Sequence, residues 1–64
     1  MLKIRSKREK ANITQKRLAE MLGVKAHTVS QWETNKRHPD IDRLPDIAAA
    51  LGCTIDELYG NDFA

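Results

Sequence analysis

Apolar residues recur along this chain at spacings of three and four and never in sustained alternation, so short amphipathic helices are open to it and a sheet is not. Five helical segments follow from the spacing and its punctuation. The first spans about 2–11, with Ile4, Arg8 and Ala11 on one side and Lys3, Lys7 and Lys10 towards solvent. Asn12, which tolerates the left-handed conformation, ends it. Thr14 caps a second helix, 15–22, whose Leu18, Ala19 and Leu22 form an inward stripe, and Gly23 stops it where the chain must turn.

A brief turn at 23–25 leads to a third helix, 26–34. At about 100° per residue, Ala26, Val29, Trp32 and Glu33 share one face. His27, Gln31 and Thr34 lie opposite, flanked by Thr28 and Ser30. Residues 35–40 form a basic loop ending in turn formers. A turn at 41–43 then precedes a fourth helix beginning near Leu44, with Pro45 as its first residue, Leu44, Ile47, Ala48 and Leu51 at core spacing, and Gly52 as its stop. The fifth carries a capping-box pattern from Thr54 to Glu57, buries Ile55 and Leu58, and ends at Gly60. The expected fold is therefore all-α, one compact five-helix domain over residues 1–64.

A chain of 64 residues buries only about 60% of the surface it exposes when unfolded, so it depends on efficient packing. Cys53 is the only cysteine, which rules out an intrachain disulfide framework and suggests a reducing, cytoplasmic setting. It reads as a small packed residue, with a redox-active thiol as the alternative. His27, His38 and Cys53 do not match the paired spacings of a structural zinc site, so neither metal nor cofactor is expected. No apolar run approaches the roughly 18 residues of a membrane span, and no signal-peptide pattern opens the chain. Nor is there a Ser/His/acid or Cys/His grouping, a carboxylate pair or a Gly-rich phosphate loop. Five short helices offer no deep pocket, so an enzyme and a small-molecule ligand are both disfavoured.

Charge is distributed unevenly. Residues 1–39 hold ten Lys/Arg against three acids, a balance of +7, and residues 40–64 hold one against six, a balance of −5. One side suits a polyphosphate and the other turns away from it, the alternative being a merely solvated mixed surface. The third helix adds a second signal. A face needed only for solubility usually displays Lys and Glu, whereas His27, Thr28, Ser30, Gln31 and Thr34 are polar and mostly uncharged, suited to hydrogen bonding.

The stretch from Thr14 to Glu33 (TQKRLAEMLGVKAHTVSQWE) resembles the helix-turn-helix of the phage Cro and repressor family, the Cro/C1-type or xenobiotic-response-element group. The similarity continues through Asn35-Lys36-Arg37-His38-Pro39 and from Leu44 to Leu58. It implies a lambda repressor-like fold in which the second motif helix enters the major groove of double-stranded DNA and the first crosses the backbone. The base-reading positions it implies are Gln15, Ala26, His27, Thr28 and Gln31. Gln31 has the geometry for adenine N6/N7, His27 for guanine or a phosphate, and Ala26 only for an apolar contact such as a thymine methyl. The phosphate-binding positions are Gln15, Lys16, Lys25, Ser30, Asn35, Lys36 and Arg37.

An internal pair between Arg8 and Glu33 is also implied, and would account for an acid on the inner face. Lys25 departs from the pattern, standing where Ser or Thr usually caps the recognition helix, and Asn35 stands in place of the usual Gly. Tyr59 is expected either to close the core or, with Phe63, to form a two-fold dimer interface as in related repressors. The function implied is a dimeric, sequence-specific transcriptional regulator, most simply a phage or mobile-element repressor on a near-palindromic operator, at the nucleoid of a prokaryotic cell or phage-infected host. A protein-interaction or antitoxin module on the same scaffold is the alternative.

Overall fold

Two packing events organise residues 2–60, the residues that the computed structural model describes. In chain order the helices are α1 (Ile4–Lys10), α2 (Gln15–Leu22), α3 (Ala26–Glu33), α4 (Leu44–Leu51) and α5 (Ile55–Leu58). Val29 and Trp32 of α3 settle against Leu18 and Ala19 of α2, and the apolar face of α4 closes over the same cluster. Ile4 of α1 and Leu58 of α5 seal its ends. The Lys3 N–H donates to the Leu58 carbonyl at 2.6 Å, so the two ends of the described chain lie side by side. No strand occurs among the described residues.

Four of the helices, α1 to α4, stop by one device. The N–H groups of Ile13, Val24, Lys36 and Cys53 each reach back five residues, to the carbonyls of Arg8, Ala19, Gln31 and Ala48. The residue before each of these donors has positive φ: Asn12 (61°), Gly23 (70°), Asn35 (62°) and Gly52 (66°). This pattern satisfies end carbonyls and turns the chain sharply. At Gly23 a Cβ would meet open space, so glycine is favoured there by its dihedral alone.

The start of α4 differs in one respect from the sequence expectation. Ile41–Arg43 form a 3-10 turn running directly into α4, and Pro45 is the second residue of the helix, not the first. Leu44 is helical (φ −57°, ψ −42°) although the residue before a proline is usually extended. The bond from its N–H to the Ile41 carbonyl holds it there. Pro45 remains within the first turn, where a missing N–H costs nothing.

Other departures share a cause: residues at helix ends overhang the core. Ala11 is exposed because α1 ends at Lys10, and Ala26, the first residue of α3, projects past α2. Ile55, expected inside, is 37% exposed, because a one-turn helix delivers only Leu58 to the core and leaves its first residue at the rim. Cys53 is half-buried and packs against the cluster.

That short helix depends on its cap. Thr54 Oγ1 accepts from the Glu57 N–H (3.1 Å), and Glu57 Oε1 accepts from the Thr54 N–H (3.0 Å). Thr54→Ala is expected to cost about 1 kcal/mol in urea unfolding, and a change under roughly 0.3 kcal/mol would show that α5 is held by Leu58 alone.

Candidate nucleic-acid interface

Burial of Val29 and Trp32 sets the rotation of α3 and turns its polar residues outward. His27 and Ala26 are exposed, while Thr28, Ser30 and Gln31 are half-buried along the helix flank. Lys25 occupies the N-cap position in extended conformation without a side-chain cap bond, so its ammonium stem projects from the helix start. At the other end Thr34 Oγ1 donates to the Ser30 carbonyl at 3.0 Å, closing the helix after Glu33.

The basic loop is fastened to this helix. The N–H groups of Lys36 and Arg37 both donate to the Gln31 carbonyl, at 2.9 and 3.2 Å. Positive φ at Asn35 makes that return possible, with Asn standing where Gly is more common. Lys36 and Arg37 are exposed and held within a turn of Gln31 by backbone bonds, so their charges sit beside the polar face.

Behind α3 lies a polar network. Arg8 Nε donates to Glu33 Oε2 at 2.6 Å and its Nη2 to Oε1 at 3.2 Å, while Nη1 donates to the Ile13 carbonyl at 2.8 Å. Gln15 Nε2 donates to the same Oε1 at 3.0 Å. The side chains of Arg8 and Glu33 are only 13% and 3% exposed. Hydrogen bonding to Glu33 raises the Arg8 pKa above its already high ordinary value, against the opposing pull of burial. One carboxylate thus joins α1, α2 and α3. The Gln15 amide has one N–H committed to Glu33, with its carbonyl oxygen and second N–H outside this network. Thr14 Oγ1 accepts from the Arg17 N–H, capping α2 at the same end.

The structure brings Lys25, Thr28, Gln31 and Arg37 to one groove of about 430 Å³, completed by Val24, Trp32, His38, Pro39, Asp40 and Arg43. Gln15, Lys16, Ala26, His27, Ser30, Asn35 and Lys36 lie outside its lining. Two residues escaped the sequence reading. Arg43 is the only Lys/Arg in residues 40–64, a signal that was available. Ile41 is 78% exposed, and an isoleucine between two aspartates in a loop was the clue. Tyr59 does not close the core. It is 48% exposed and lines a second, smaller groove with Leu2, His38, Pro39, Ile41 and Leu44. Phe63 lies outside the described residues. Among the described residues no helix is long and apolar enough to cross a membrane.

A family model described as helix-turn-helix matches residues 4–58. The chain is 37% identical over 60 residues to the HTH-type transcriptional activator BcrR of Enterococcus faecalis, covering 94% of this chain and 29% of that protein. It is 36% identical over 62 residues to repressor protein C2 of Salmonella phage P22, covering 97% and 29% respectively. The chain thus spans less than a third of the length of these two relatives. The crystal structure of the P22 c2 repressor with a synthetic operator superposes with a TM-score of 0.81 at 37% identity, over 92% of this chain and 89% of that one.

Proposed function

For a chain that belongs to the helix-turn-helix family and has a phage-repressor-like domain fold, we propose sequence-specific binding of double-stranded DNA in transcriptional regulation, with repression as the outcome. The carrying observation is the face of α3, where buried Val29 and Trp32 orient His27, Thr28 and Gln31 outward beside a loop bolted to the Gln31 carbonyl. The reading takes the chain as one domain whose motif helices are α2 and α3, acting on the bacterial or phage-infected nucleoid. Gln31, His27, Thr28, Ala26 and Gln15 meet base edges. Lys16, Lys25, Ser30, Asn35, Lys36 and Arg37 hold phosphates, together with the N-terminus of α2.

We further propose that the chain acts as a homodimer. The groove around Ile41 and Tyr59 is lined mainly by apolar residues, and Ile41 and Tyr59 are themselves exposed. A second copy related by a two-fold axis would cover this apolar surface with its own equivalent patch. Two recognition helices roughly 34 Å apart would then match successive turns of a near-palindromic site.

The deciding experiment selects bound duplexes from a randomised pool at about 150 mM salt and compares the winner with a scrambled duplex. A palindromic consensus bound at least about 10³-fold more tightly supports the reading, and only weak, sequence-blind binding moves the specific partner to protein. Within it, Gln31→Ala is expected to cost about 1–3 kcal/mol on the selected site and to relax preference at one base pair per half-site. Lys36→Ala or Arg37→Ala should weaken all duplexes alike and flatten the salt dependence. Equal loss on specific and nonspecific duplexes for Gln31→Ala would remove its base-reading role.

A further inference from the structure

We propose that Arg43, outside the helix-turn-helix proper, is a phosphate-binding residue whose guanidinium closes the groove beside α3 around a backbone phosphodiester; this rests on the DNA-binding reading above. That groove is lined by Lys25, Thr28 and Gln31 together with Arg37, His38 and Arg43, with Asp40 as the carboxylate on its lining. Arg43 Nη1 donates to the Leu22 carbonyl at 3.3 Å, which anchors the side chain at the C-terminal end of α2. That is a favourable place for a cation, and the bond tethers the guanidinium there.

The anchor uses one of five N–H donors. Among the described residues Arg43 forms no ion pair, although the surrounding sequence is acidic. A half-buried, tethered guanidinium with donors to spare, sharing a groove with Lys25, Gln31 and Arg37, is suited to bidentate binding of a phosphate. A purely structural Arg43 would cap α2 and nothing more. The two roles differ in how binding responds to salt.

The test titrates the selected duplex with wild-type chain and Arg43→Gln across a salt series, with unfolding midpoints measured alongside. Arg43→Gln should bind about tenfold more weakly, and its slope of log K against log salt should be shallower by about 0.9 for each phosphate released. A lower unfolding midpoint with an unchanged slope overturns the proposal and leaves a helix cap. Should Arg43→Gln not fold, the Nε–H resonance of Arg43 in the wild-type chain, assigned with Arg43→Lys, serves instead. It must shift on adding duplex, and an unmoved signal overturns the proposal. A chain that binds no duplex overturns both this inference and the DNA-binding reading, whereas specific binding with an unchanged slope overturns this inference alone.

Discussion

Replacing Arg8 by Met is expected to destabilise the fold by about 3–5 kcal/mol, because it leaves the Glu33 carboxylate buried without its cation. The Glu33 side chain is 3% exposed, and Gln15 would be its one remaining side-chain partner among the described residues. The cost is large for this chain, since a domain of 64 residues has a total stability of roughly 3–10 kcal/mol. Urea unfolding followed by circular dichroism gives the value directly, and a loss below about 1 kcal/mol would place the pair energetically with surface salt bridges. The double variant Arg8→Met/Glu33→Leu removes both charges and should recover much of the loss. The pH dependence has a definite sign. Folding raises the Arg8 pKa, so its contribution is complete below the ordinary arginine value and is lost only as pH rises through the still higher folded value. Between about pH 6 and 10 the contribution of Arg8 should therefore be constant.

Ile41→Asp should leave the fold intact and reduce affinity for a palindromic duplex by about 10²–10⁴-fold, the loss expected when two linked half-site contacts become independent. Ile41 is 78% exposed, so its removal takes little apolar area from the isolated chain. Within the chain it shares a groove with Pro39 and Tyr59, the surface that a second copy would cover. Sedimentation should show wild-type self-association weakened by the substitution, while affinity for a single half-site stays near the wild-type value. Unchanged affinity for the full palindrome would remove this patch from the dimer, and Tyr59→Asp, just past the end of α5, tests the same face.

Helix positions were legible in the sequence because their determinants are local. Caps act across three residues, as from Thr54 to Glu57, and the helix-ending bonds act across five, as from Val24 to Ala19. Asn12, Gly23 and Gly52 are residue types that tolerate positive φ, so these stops were marked by residue type alone. The outward polar face of α3 was legible for a similar reason: burying Val29 and Trp32 fixes where His27 and Gln31 must point. Burial near short-helix ends was not legible, as Ile55 and Ala26 show, because periodicity gives a direction and not how far a neighbouring helix extends.

Tertiary structure decided which groups meet. Periodicity put Glu33 on an inner face, but packing of α1 against α3 sets the Arg8 guanidinium 2.6 Å from it across 25 residues, and α2 adds Gln15. Arg43 reaches the Leu22 carbonyl across 21 residues only because α4 packs on α2. A helical period is written in neighbours three and four apart, so the sequence by itself determines where helices run and which face turns inward. The distance between a charge on one helix and a carbonyl on another follows from how faces interlock, and only the folded chain decides that.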